Sequence, residues 1–300
     1  MRPIATIAIL TYQSERTLGR VLEAVFKQEF SNYDVLLIDS GSTDATLEIA
    51  SHYPCQVVPI PNNVFGHGRT RNYAAHISES EFLVFLTHDS VPQKKTWLSE
   101  LIRPFPETKV AGVYGRQVPR LGANYLDAHF QSTLYGDIPV RWTANNWKQG
   151  DNLFSDANSA VRRALLIEHP YSDTIIVSED YEWATRVLRL GYDVVYRPEA
   201  AVVHSHNYTM LGLFRRNFDI GVSYRSIYAN KGTRHLLLKG SRLHLRELTD
   251  LARSGNSAHV PRAMIRSIVR FLAIETGKRE NLLATHWKRD YLSAQRWYWT

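Results

Sequence analysis

One cysteine, Cys55, stands among 300 residues, which excludes a disulfide scaffold or an array of zinc fingers. It fits a reducing compartment. Long hydrophobic runs are missing as well. The apolar stretch Ile4–Leu10 is too short for a signal peptide, and no later segment reaches about 18 uninterrupted apolar residues, the length of a spanning helix. The expectation is a soluble or peripheral protein of the cytoplasm. No repeat period, low-complexity tract or obvious linker breaks the chain, so one compact unit is expected. Familiar nucleotide signatures are also absent. Gly66-His67-Gly68-Arg69-Thr70-Arg71 begins like a dinucleotide fingerprint but has arginine where the third glycine belongs. Neither a phosphate-loop lysine motif nor a zinc-protease motif occurs. A Rossmann dehydrogenase and an NTPase are disfavoured.

What is present is ordinary in amount and uneven in charge. Hydrophobic residues make up 44% and charged residues 22%, which excludes wholesale disorder. The net charge of +7 suits nucleic acid, an anionic membrane or phosphorylated substrates. Residues 1–100 are nearly balanced, whereas the chain from Arg215 onward is thick with Arg, Lys and His. That asymmetry suggests a catalytic half and a basic tail. Nucleic acid is not expected as a partner, because the basic residues lack any reading motif.

The first hundred residues alternate strand and helix patterns. Ile4–Thr11, Asp34–Asp39, Gln56–Ile60 and Phe82–Leu86 read as strands. Between them, Thr17–Gln28 sets Leu18, Val21, Leu22 and Val25 at helical spacing, and Asp44–Ser51 and Arg69–His76 read as helices. This order calls for a doubly wound parallel sheet, whose ligands collect beyond the carboxyl ends of the strands. Those ends carry Thr11-Tyr12, Asp39-Ser40 and Thr87-His88-Asp89, so three polar clusters converge on one rim. Further on, Lys109–Val118 reads as strand, 150–163 as mixed, Glu179–Leu190 as helix, and Val194–Tyr196 and Ala201–His204 as short strands. Helical periodicity then takes over in Leu211–Tyr228, His235–Arg253, Pro261–Glu275 and Trp287–Trp297.

Each cluster has a bland reading beside a chemical one. Asp39 either caps a local turn or accepts from a pyrimidine imide N–H. Asp89 is either structural or the place where a hard divalent cation bridges to diphosphate oxygens, with water and a histidine completing its ligands. Ser178-Glu179-Asp180-Tyr181-Glu182-Trp183 packs three carboxylates into a helix start, which suits the helix dipole or a general base. His204 is either a core histidine or a metal ligand. Arg69, Arg71, Arg162, Arg215 and Arg216 are either solvated or forks for phosphate.

Together the clusters form a recognisable set. IAILTYQSERTLGRVLEAVFKQEFSNYDVLLIDSGSTDAT, GRTRNYAAHISESEFLVFLTHDSVP and SEDYEWATRVLRLGYDVVYRPEAAVVHSHNY occur in that order. The chain resembles the family 2 inverting glycosyltransferases of GT-A fold over residues 3–230. Its variants FLTHDSVP, VVHSHNYT and FRRNFDIG look most like bacterial rhamnosyltransferases that use dTDP-L-rhamnose.

The resemblance implies a fold and a set of roles. The fold is α/β, a doubly wound and mostly parallel sheet with helices on both faces, plus a helical C-terminal extension. Residues 1–230 form the catalytic domain, with a nucleotide-sugar half to about 118 and an acceptor half from 119, and 231–300 form the extension. Thr11, Tyr12 and Glu15 line the nucleotide pocket, Asp39 and Ser40 meet the base, and Arg71 and Asn72 lie beside the diphosphate and sugar. His88 and Asp89 occupy the metal motif. Thr87 stands where that motif has its first aspartate, which leaves Asp89 as the sole carboxylate ligand, joined by His204. The cofactor is Mg2+ or Mn2+. Asp180 is the catalytic base, with Glu179 the second choice. Asp156, Asn158 and Arg162 lie near the acceptor, and Trp183 walls it.

The implied activity is inverting transfer of L-rhamnose to a hydroxyl of a saccharide or lipid-linked glycan in bacterial surface polysaccharide biosynthesis. Two alternatives stay open: a UDP-hexose or UDP-N-acetylhexosamine donor on the same scaffold, and a catalytically silent nucleotide-sugar or glycan-binding module. In the tail, Met264, Ile265, Ile268, Val269, Phe271 and Leu272 are set against Arg262, Arg266 and Arg270. Either these helices pack on the catalytic domain or a second subunit of a homo-oligomer, or they meet an anionic membrane, arginines on headgroups, at the cytoplasmic face of the inner membrane.

Overall fold

The computed structural model describes residues 2–148, 153–228 and 234–299. The anticipated boundary at 230/231 and the start of the mixed stretch at 150 lie outside the described residues. The chain forms two compact units. The first comprises Met1–Arg120, Leu134–Asp173 and Glu179–Ser205; the second comprises Leu121–Thr133, Thr174–Ser178 and His206–Thr300.

The first unit begins with β1 (Ala5–Thr11), α1 (Leu18–Val25), β2 (Tyr33–Asp39), α2 (Thr46–Ser51), β3 (Gln56–Pro59), α3 (His67–Ile77) and β4 (Phe82–Thr87). After β5 (Val91–Pro92), α4 (Trp97–Ile102) and β6 (Val110–Val118) comes α5 (Tyr125–Leu134), most of which belongs to the second unit. The first unit resumes with β7 (Val140–Trp142), β8 (Asn158–Arg162), α6 (Arg163–Glu168), α7 (Glu179–Arg189) and β9 (Asp193–Val203). The sheet order is β3-β2-β1-β4-β8-β6-β9-β5, with β7 also beside β9. β3, β2, β1 and β4 are parallel as expected; β8 then runs antiparallel to both its neighbours, so the far half is mixed.

Alternation along the strands explains why they read as unbroken apolar runs. Ile7, Ile9, Val35, Leu37, Val84 and Leu86 pack with Leu18, Val21, Leu22 and Val25 of α1 and with Trp97, Leu98 and Leu101 of α4. Ala8, Leu36, Ile38, Leu83 and Phe85 pack instead with Ala74 of α3, Leu165 of α6 and Ala184, Val187 and Leu188 of α7. Both faces are covered, so apolar side chains predominate on both. The two short strands expected at 194–204 are one strand. Its Pro198–Ala201 segment bulges opposite Arg116, where the register with β6 jumps from Gly115↔Arg197 to Gln117↔Val202. Glycine is required there, because a Cβ on Gly115 would lie 1.9 Å from the Ala200 carbonyl oxygen.

The second unit is helical: α5 to Thr133, α8 (Met210–Ile227), α9 (Arg234–Arg253) and α10 (Val260–Lys278). α8 and α10 touch backbone to backbone at glycines, since a Cβ on Gly277 would lie 2.1 Å from the Phe218 carbonyl oxygen. The polarity of α10 is the reverse of the membrane expectation. Arg266 and Arg270 are buried, Arg266 paired with Asp127 of α5 and Arg270 3.5 Å from Glu247 of α9. Arg270 also lies 3.8 Å over the Phe130 ring. Buried against these carboxylates, the two arginines do not reach headgroups. The outer face of α10 is apolar: Met264, Ile265, Ile268, Phe271 and Leu272 are each 48–55% exposed. Among the described residues, no helix is long and apolar enough to cross a membrane.

Candidate active site

The parallel register aligns the strand ends, pairing Thr11 with Asp39 and Leu10 with Thr87. The residues just beyond them therefore lie at one rim of the first unit. Asp39 is buried and saturated there. It accepts from the Thr11 hydroxyl at 2.9 Å, the Ser42 hydroxyl at 2.6 Å, and the Gly41 and Ser42 backbone N–H groups at 3.0 and 2.8 Å. The three bonds from Gly41 and Ser42 realise the local-turn reading. Ser40 is buried, with its N–H and hydroxyl both on the Thr11 carbonyl. Tyr12 is half exposed, and Glu15 braces the next loop by accepting from Ala45 N–H at 3.2 Å. Gln13, which sequence reasoning passed over, ties the same two loops by accepting from Thr43 and Asp44 N–H at 2.9 and 3.2 Å.

Beyond β4, His88 Nδ1 lies 3.0 Å from the Thr17 hydroxyl. Asp89 Oδ1 lies 3.5 Å from His204 Nε2, so the end of β9 brings the expected metal pair together. His204 Nδ1 is 2.8 Å from Gln117 Oε1 of β6. A carboxylate oxygen beside an imidazole nitrogen is a donor set that fits a hard divalent cation once substrate oxygens and water complete it.

A second cluster is anionic. Asn158 pairs with Leu86, so Asp156, just before β8, belongs to the same rim. The chain enters α7 through Ser178, whose φ of +69° is a left-handed conformation costing a non-glycine residue about 1 kcal/mol. Arg71 of α3 is buried between Glu179, to which it donates, and Asp156 at 3.2 Å. Burial pushes Glu179 up to about 8 and Asp156 up to about 6, against the pull of Arg71. Asp180 is half-buried. Its Oδ2 accepts from Asp156 N–H at 2.9 Å and its Oδ1 from Tyr181 N–H at 2.7 Å, so the backbone holds the carboxylate in place.

Four expected binding residues have structural duties instead. Asn72 clamps the Tyr171 backbone through both ends of its amide, each at 2.9 Å. Asn158 is fully buried, accepting from Trp97 Nε1 at 2.8 Å and donating to the Ala200 and Arg116 carbonyls. Arg162 pairs with Phe82, at the opposite end of β4 and about 13 Å along the strand from Asn158. There it donates to the Phe105 carbonyl at 2.8 Å. Trp183 is 0% exposed, and its indole N–H donates to the His169 carbonyl at 2.8 Å. It is core, not an acceptor wall. The polar needs of their buried surroundings draw these side chains inward.

A carboxylate–imidazole pair and a held carboxylate, on the rim of a doubly wound sheet, suit a transferase that expels an anionic leaving group. The chain belongs to glycosyl transferase family 2, whose model matches residues 6–169. It is 32% identical to the O-antigen chain rhamnosyltransferase WbaN of Salmonella anatum, covering 99% of this chain and 94% of that protein. It is 31% identical to the O-antigen chain rhamnosyltransferase RfbN of Salmonella typhimurium, covering 98% and 93%. Among solved structures, the mannosyltransferase PcManGT of Pyrobaculum calidifontis, in complex with GDP-Man and Mn2+, aligns with a TM-score of 0.65 at 17% identity, covering 94% of this chain and 88% of that one. The fold is GT-A, and the protein is a glycosyltransferase.

Proposed function

We propose that the protein transfers L-rhamnose from dTDP-L-rhamnose, with inversion, to a hydroxyl of a saccharide or lipid-linked glycan in bacterial surface polysaccharide biosynthesis. The observation that carries this reading is its likeness to two O-antigen chain rhamnosyltransferases over nearly the whole chain. Asp180 takes the proton of the acceptor hydroxyl, and the oxygen attacks the anomeric carbon. The bond from that carbon to the diphosphate breaks, and its electron pair leaves with the nucleotide. Asp89 and His204 hold Mg2+ or Mn2+, which when bound neutralises charge on the departing diphosphate. Thr11, Tyr12, Glu15, Ser40 and His88 line the nucleotide side. For Asp39 to accept from the base, the Thr11 or Ser42 hydroxyl must turn away. Arg71, engaged with Glu179 and Asp156, positions the acid cluster rather than the diphosphate.

Asp180→Asn is expected to lower kcat about 10²–10⁴-fold while calorimetry shows unchanged dTDP-L-rhamnose binding with Mn2+. Near-normal turnover would remove Asp180 from the role. Tighter binding of UDP-glucose or UDP-N-acetylglucosamine than of dTDP-L-rhamnose would replace the donor.

The second unit supports a finer placement. Residues 206–300 hold seventeen Lys and Arg against six Asp and Glu, and the outer face of α10 is apolar. Such a surface suits peripheral binding to an anionic bilayer, apolar side chains entering the interface and charge adding attraction. In flotation, vesicles containing phosphatidylglycerol should carry the protein at low salt, and Ile268→Glu/Phe271→Glu should stay behind. No flotation of the wild type, with a dimer that the same double variant dissociates, would assign this face to a second copy.

A further inference from the structure

A hydrogen-bonded line runs behind the proposed metal pair, wholly within the first unit. It starts at Tyr135, which is buried and whose phenol burial pushes far up, so the group stays a neutral hydroxyl. Gln117 Nε2 donates to the Tyr135 hydroxyl at 2.9 Å. The amide nitrogen lies on the Tyr135 side. Gln117 Oε1 is therefore the end that meets His204 Nδ1 at 2.8 Å. An amide oxygen can only accept, so Nδ1 carries the proton. Nε2 is then the acceptor nitrogen, on the side of Asp89 Oδ1 at 3.5 Å. Two ligands at about 2.1 Å from one cation lie roughly 3 Å apart or a little more.

The backbone explains why a glutamine stands there. β6 and β9 lose register between Gly115 and Gln117, and a bulge of this kind re-aims the side chain that follows it. Gln117 then pairs with Val202, two residues before His204, so its amide is delivered to the imidazole from the neighbouring strand. Nearly all of its surface is buried, so water does not compete for either end of the amide.

We propose that Gln117 is a positioning residue that fixes the tautomer and aim of His204 for cation binding. The metal half of this inference rests on the proposal that Asp89 and His204 hold the cation; the tautomer half does not. Removing such an outer partner typically lowers metal affinity about 10–100-fold.

The test uses the full-length protein and three variants, Gln117→Leu, Gln117→Glu and Asp89→Ala. Histidine 15N spectra, with His204 identified by loss of its signals in His204→Gln, report the tautomer. Mn2+ titration in the presence of dTDP reports affinity. The expected result is an Nδ1–H tautomer in the wild type that is lost in Gln117→Leu, with Mn2+ affinity down 10–100-fold. Gln117→Glu, which still offers an acceptor oxygen, should restore both. Metal-free dTDP affinity should be unchanged in the two Gln117 variants, which separates positioning from a general loss of fold. An Nε2–H tautomer in the wild type, or wild-type Mn2+ affinity in Gln117→Leu, overturns the proposal. Equal Mn2+ affinity in the wild type and Asp89→Ala overturns the metal reading instead, and the tautomer spectra then decide the role of Gln117.

Discussion

Replacing Glu179 by Gln should abolish a pH dependence that the acid cluster builds into stability. Glu179 is 3% exposed, and Arg71 faces Asp156 and Glu179 together. Burial raises its carboxyl from an ordinary 4.5 to about 8, with Arg71 pulling the other way. The native protein therefore keeps a proton that the unfolded chain releases near pH 4.5. Stability from this group is fully present below about 4.5 and is lost as pH rises through about 8. Each pH unit between those values is worth up to about 1.4 kcal/mol, so the loss approaches about 4–5 kcal/mol by pH 9. Glutamine imitates the protonated acid and has no proton to lose. Urea unfolding of both proteins at several values from pH 5 to 9 should give curves that meet near pH 5 and separate upward, the variant becoming the more stable. Asp156, raised to about 6 and interacting with Glu179, adds its own slope below that value, so the difference is read above pH 6. Parallel curves across the range would show that Arg71 holds Glu179 ionised and would refute the reasoning.

Two further predictions separate structural duty from chemistry. Asn158→Ala leaves the Trp97 indole N–H and the Ala200 carbonyl without their buried partner, a cost of about 2–4 kcal/mol, and chemical denaturation should show it with the acceptor KM unchanged. A raised KM at wild-type stability would return Asn158 to the acceptor site. Gly277→Ala puts a methyl group 2.1 Å from a carbonyl oxygen of α8, so α8 and α10 must part. Thermal melting should register a loss of about 1–3 kcal/mol, and an unchanged melt would mean the two helices are not in backbone contact.

Periodicity disclosed the elements because each is built by local spacing that burial then rewards. Leu18, Val21, Leu22 and Val25 mark α1 in any reading, and all four are buried. The strand ends at Thr11, Asp39 and Thr87 follow from the same logic, so the rim was legible before its geometry. Pairings across the chain were not. Arg266 sits among apolar residues in sequence, and Asp127, 139 positions away, turns it inward together with the Tyr208 carbonyl. Gln117 is one polar residue in a strand, a pattern with no signal until β9 brings His204 beside it. The acid run at 179–182 shows both limits at once. Three carboxylates in four residues announced a charged helix start, but adjacent positions on a helix point about 100° apart. Glu179 turns inward to Arg71, where burial raises its carboxyl. Asp180 stays half-buried, fixed by two backbone N–H groups. Of two neighbours with nearly the same chemistry, the one that stays near the surface is the one an arriving hydroxyl can reach, which is why Asp180 is proposed as the base.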